Sequence, residues 1–114
     1  MLNDQSLDIE VEHDQFGVTH RVWVTLAGDG SLSLNGHDMG TAVSESWGDE
    51  FDEYEWSWTL DPSRVPALLN PLQLNGQSKD WPVELAVRLR AIGTTEAESK
   101  FKDAGAEFWS RVGD

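Results

Sequence analysis

Hydrophobic and polar positions alternate along the first half of the chain and recur at helical spacing along the second. From Glu53 to Leu60 the alternation is strict: Tyr54, Trp56, Trp58 and Leu60 fall on one side, Glu53, Glu55, Ser57 and Thr59 on the other. Successive strand side chains point to opposite faces, so the stretch predicts a strand with an aromatic core face and an acidic, polar outer face. Residues 7–13 repeat the arrangement, with Leu7, Ile9 and Val11 set against Asp8, Glu10 and Glu12. Residues 18–26 follow, with Val18, His20, Val22, Val24 and Leu26 on one face and Thr19, Arg21, Trp23 and Thr25 on the other. Residues 14–17 read as a turn and Gly28-Asp29-Gly30 as a hairpin, leading into a short third strand over 31–35 with Leu32 and Leu34 inward. Residues 35–40 then read as a glycine-bounded loop, and 41–47 as one or two helical turns before the fourth strand.

The period changes after Asp61-Pro62. Asp is a favoured N-cap and Pro is tolerated in the first turn, so a short helix runs to about Asn70, buried through Val65, Leu68 and Leu69. Pro66 removes one backbone donor, which moves the start toward Arg64 or makes it a 3₁₀ turn. Asp80-Trp81-Pro82 opens a second helix, with Trp81, Leu85, Leu89 and Ile92 on one stripe and Gly93 as its stop. Thr95 and Glu98 stand at capping-box spacing for a third helix, whose apolar face would be Ala97, Phe101, Ala104, Phe108 and Val112, with Gly105 weakening its middle. Strands first and helices second predict an α+β fold: a four-stranded antiparallel, meander-like sheet over 1–60, and two to three helices over 61–114 packed on one face. At 114 residues a single domain is expected.

Charge sharpens this picture. Of the 21 acidic and 8 basic residues, 14 acids and only Arg21 precede residue 62, and the remainder holds seven of each. The whole net charge of −13 therefore lies in the strand-forming half. A field concentrated in this way repels nucleic acid and anionic membranes and steers a basic partner or a cation. The absence of cysteine excludes disulfides and thiol chemistry. Met1-Leu2-Asn3-Asp4 lacks the character of a signal peptide and no segment is apolar enough to span a bilayer, so a cytoplasmic protein is expected.

Candidate chemistry is sparse. The three histidines, His13, His20 and His37, show no His-x-x-x-His or Glu-x-x-His spacing, and His20 on an apolar strand face reads as a satisfied core residue. His37 and Asp38 are loop candidates, since loops often carry function. The run Asp49, Glu50, Asp52, Glu53 and Glu55 lacks the spacing of a calcium loop, and no cofactor or catalytic residue is expected. Arg88, Arg90, Lys100, Lys102 and Arg111 alternate with carboxylates and read as solvated helix faces. What remains is a surface. If the apolar strand residues face the helices, Asp8, Glu10, Glu12, Arg21, Trp23, Glu53 and Glu55 share the outer face, with Trp23 an aromatic among acids.

Residues 31–40 followed by 52–60 resemble small acidic bacterial proteins of unknown function, in which a Gly-x-Asp-aliphatic-Gly turn precedes an acidic-aromatic strand. The matching positions are Gly36, Asp38, Met39 and Gly40, then Glu53, Tyr54 and Glu55. Some of these proteins look like immunity partners of secreted toxins, so the resemblance implies a basic protein partner. The expected function is a non-enzymatic acidic binding protein, most concretely an immunity- or antitoxin-like inhibitor, with Asp8, Glu10, Glu12, Trp23, Asp49, Glu50, Asp52, Glu53 and Glu55 as its candidate partner-binding residues. Its alternatives are an assembly subunit that self-associates through its sheet and a metal-dependent enzyme using the acidic run and His37.

Overall fold

The computed structural model describes residues 4–14, 17–39 and 53–113. Among them are five strands: β1 (Gln5–Asp14), β2 (Gly17–Leu26), β3 (Leu32–Met39), β4 (Glu53–Leu60) and β5 (Glu107–Gly113). They form one antiparallel sheet in the order β1-β2-β3-β4-β5. Between β4 and β5 lie a 3₁₀ turn (Pro62–Arg64), α1 (Val65–Leu69), α2 (Trp81–Ile92) and α3 (Thr94–Asp103). The α+β class stands. The expected four-stranded sheet gains a fifth strand, and the third helix is shorter than its pattern suggested.

The helical segment begins as its residues dictate. Asp61 caps the 3₁₀ turn, its carboxylate accepting from the Ser63 amide at 3.0 Å and from the Ser63 hydroxyl. The Ser63 hydroxyl, first, holds the Asp61 carboxyl below its ordinary range. Gly93 ends α2, as expected. The third helix departs from expectation at both ends. Thr95 and Glu98 form no capping box: Gly93 is the N-cap, with no side-chain cap bond, and Glu98 accepts the indole N–H of Trp58 at 2.8 Å. At its other end Gly105 takes φ +93°, the left-handed conformation that glycine adopts without steric cost. Ala106 then donates to Phe101 and Gly105 to Lys102, the paired bonds of a Schellman stop. The chain leaves in extended form, and Phe108, Trp109 and Val112 become strand residues paired with Trp58, Ser57 and Tyr54.

The core lies between the sheet's helix side and the helices. Val22, Val24, Leu32, Leu34, Trp56 and Leu60 meet Leu68, Leu85, Leu89 and Phe101, all buried. Complete burial of a side chain such as Phe101 contributes roughly 1.5–3 kcal/mol. Trp56 fits because β3 runs on through 35–39 where a loop was expected, placing Gly36 opposite it. A β-carbon on Gly36 would stand 2.0 Å from the Trp56 ring, so only glycine leaves room for the indole. Three of the basic residues read as solvated are structural ties. Arg88 donates to the Leu72 carbonyl at 2.7 Å, Arg90 to the Asp8 carbonyl at 2.8 Å and Arg111, on β5, to Glu55 at 3.1 Å. No helix among the described residues is long and apolar enough to cross a membrane.

The strands outrun the helices. A ten-residue strand spans about 33 Å and the twelve-residue α2 about 18 Å. The end of the sheet marked by Asp14, Gly17, Met39 and Glu53 extends past the apolar rows. There the helix side changes from Val22 and Val24 to His20, Glu12, Asp38 and Tyr54.

Candidate functional site

A β-bulge decides which side of the sheet the acids of β1 occupy. Asp8 pairs with Trp23 but Glu10 pairs with Val22, leaving Ile9 as an extra residue. An inserted residue reverses the alternation beyond it, so Glu10 and Glu12 turn to the helix side with Val22 and His20. Asp8 stays on the outer face. The expected shared outer face is therefore corrected: it keeps Asp8, Arg21, Trp23, Glu53 and Glu55 and loses Glu10 and Glu12. Asp49, Glu50 and Asp52 lie outside the described residues.

On the helix side the two displaced strands of charge meet at His20. Its Nε2–H donates to Glu10 Oε2 at 2.5 Å and its Nδ1–H to Asp38 Oδ1. An ionised carboxylate only accepts, so two of them, one at each ring nitrogen, favour the doubly protonated, cationic imidazole. Burial opposes that charge, since the side chain is only 22% exposed. The hydrogen bonds and charges of Asp38 and Glu10 outweigh it and raise the His20 pKa above 6.5. This triad joins β1, β2 and β3 at the margin of the core.

On the outer face a different set converges. Register pairs His37 with Glu55 and Met39 with Glu53, so His37 projects beside both glutamates. Its Nε2 lies 3.1 Å from Glu53 Oε1 and 3.8 Å from Glu55 Oε1. His37 and Asp38 are thus strand residues facing opposite ways, where a loop was expected. Arg21 bonds Asp8 at 2.8 Å and lies over the Trp23 indole, 4.5 Å from the ring centre. Trp23 is half-buried under that guanidinium. Across the sheet the row Trp23, Asn35, Ser57, Trp109 places two indoles about three strand spacings, roughly 14 Å, apart. Between them runs a groove of about 230 Å³, lined also by His37 and Glu55. Ser57 donates to Asn35 at 2.8 Å in its floor.

Three residues of these sites escaped the sequence reading. Trp109 and Arg111 were assigned to a helix, and Trp109 stands 52% exposed on the outer face. Their available signal was Gly105, followed by the alternation of Glu107, Trp109 and Arg111 against Phe108, Ser110 and Val112. His20 was read as core, although Glu10 and Asp38 become its partners only through the bulge and the lengthened β3.

The electrostatic outcome is a polarised sheet. Its far end holds Glu10, Glu12 and Asp38 on one side and Glu53 and Glu55 on the other, against Arg21 and Arg111. In sequence, residues 40–52 between Met39 and Glu53 include Glu45, Asp49, Glu50 and Asp52 and no Lys or Arg. Among known proteins the chain matches no family model, no curated sequence and no solved structure, so its functional reading rests on this geometry.

Proposed function

We propose that the protein is a non-enzymatic binding protein that receives a basic protein partner at the acidic end of its sheet, acting as an immunity- or antitoxin-like inhibitor. The observation that carries this reading is the excess of carboxylates over cations at one end of the sheet. Both faces of the sheet contribute them, and among the described residues Arg21 and Arg111 are the permanent cations that the register places beside them. Such a field speeds the encounter with a cationic surface and suppresses wrong partners. The outer groove between Trp23 and Trp109 supplies apolar anchoring beside the charge.

The test begins with affinity capture from native cells and continues with stopped-flow association of the recovered partner. A basic partner should associate at least about tenfold more slowly at about 500 mM than at about 50 mM salt. The combined Glu10→Gln, Glu12→Gln, Glu53→Gln and Glu55→Gln variant should show the same slowing at low salt. Recovery of no basic protein, or an association rate indifferent to salt, would overturn the reading. Exposed Phe108 and Trp109, 49% and 52%, favour a second one, an assembly subunit that self-associates through its sheet. Sedimentation of a strict monomer at high concentration would remove it.

A further inference from the structure

The geometry points to a binding site for a divalent transition-metal ion on the outer face of the sheet, with His37 Nε2 and one carboxylate oxygen each from Glu53 and Glu55 as ligands. One potential ligand atom from each residue lies within 4.8 Å of the other two. The three side chains are 27%, 25% and 33% exposed, shielded enough to hold position and open enough to admit an ion. Their placement follows from register. His37 comes from β3, and Glu53 and Glu55, two residues apart on β4, share its face. Paired strands fix the backbone, so drawing the donors to the roughly 2.0–2.2 Å bond lengths of a zinc ion takes side-chain rotation alone.

The donor set selects the kind of ion. Two carboxylates with a neutral imidazole carry two negative charges, which a divalent ion balances. Calcium and magnesium take oxygen ligands, whereas imidazole suits zinc, cobalt, nickel and copper. His37 and Glu55 also line the groove between Trp23 and Trp109, so the remaining coordination positions face open space. Arg111 competes for the site, because its Nη2 lies 3.1 Å from the Glu55 oxygen that also faces His37. The other histidine–carboxylate group serves as an internal contrast. His20 directs its two ring nitrogens to Glu10 and Asp38 separately, so its donors do not converge on one point.

The site is a property of the isolated chain and does not rest on the partner reading. Chelator-treated, dialysed protein is titrated with Zn²⁺ by calorimetry and with Co²⁺ by visible absorption. One ion should bind per chain, with cobalt bands typical of nitrogen and oxygen ligands. His37→Ala should weaken Zn²⁺ binding by about 100-fold or more, and Glu53→Gln by about 10-fold or more. Arg111→Gln should tighten it, and Glu10→Gln should leave it unchanged. An excess of Mg²⁺ should not displace the zinc. Absence of binding at about 1 mM ion overturns the assignment. So does binding that survives His37→Ala in protein with an unaltered circular dichroism spectrum. Displacement by equimolar Mg²⁺ overturns it as well, since that marks diffuse attraction to the acidic end.

Discussion

At Gly36 one hydrogen atom in place of a methyl group decides where an indole goes. Gly36→Ala would put a β-carbon into the Trp56 ring, which fills a tightly packed part of the core. Either the strands part or Trp56 leaves its position, and overpacking of this kind costs about 1–3 kcal/mol. Urea unfolding should show that loss, together with red-shifted tryptophan emission if the ring moves outward. His20 makes a second prediction at this scale, and its sign follows from its partners. The folded pKa lies above the unfolded value near 6.5, so the stabilisation is complete below about pH 6.5 and is lost as pH rises through the folded pKa. The groups that set it are Glu10 from β1 and Asp38 from β3, with Glu12 directly opposite on β1. The urea midpoint should fall between about pH 6 and pH 9 in the parent chain. In His20→Gln that fall should largely disappear.

At the scale of elements, two helix stops use the same hydrogen bonds with different residues. α3 ends on Gly105, but the turn after α1 ends on Gln73 at φ +59°, with Leu74 donating to Leu69 and Gln73 to Asn70. A side chain in that conformation costs about 1 kcal/mol or more. Gln73→Gly should therefore raise stability by about 0.5–1 kcal/mol after the greater chain entropy of glycine is counted, measurable as a higher unfolding temperature. The same two stops explain what could be read beforehand. Strict alternation made β4 legible, and the Asp61-Pro62 start and Gly93 stop were legible from local chemistry. β5 was not, because Ala97, Phe101, Ala104 and Phe108 continue at helical spacing across a glycine that actually reverses the backbone. The bulge at Ile9 was illegible for another reason. Nothing within β1 marks it, since it exists only in the pairing with β2.

At the scale of the molecule, the charge asymmetry of the sequence becomes a spatial one. Of the first-half acids, Glu10, Glu12, Asp38, Glu53 and Glu55 lie toward the end of the sheet marked by Asp14, Gly17, Met39 and Glu53, while the balanced second half supplies the helices and β5. This much followed from counting, but the division of acids between two faces did not. It also sets the expectation for the four-glutamine variant. Removing carboxylates from both faces should slow capture of a basic partner, and the thermal midpoint should fall only by what the lost Glu10–His20 and Glu55–Arg111 bonds contribute. His37, Glu53 and Glu55 show the limit of local motifs from the opposite direction. Their sequence separations carry no metal-binding spacing, because the cluster is assembled by the pairing of two strands.

The bulge has one more consequence, for growth of the sheet. β1 lies at an open edge, where unpaired backbone groups invite a strand from another molecule. The extra residue puts Asp8 on one side of that edge and Glu10 and Glu12 on the other, so an incoming copy meets like charge on both. Arg90 already holds the edge carbonyl of Asp8. An irregularity in one strand thus sets like charge on both sides of the β1 edge, which opposes its pairing with the same edge of another copy.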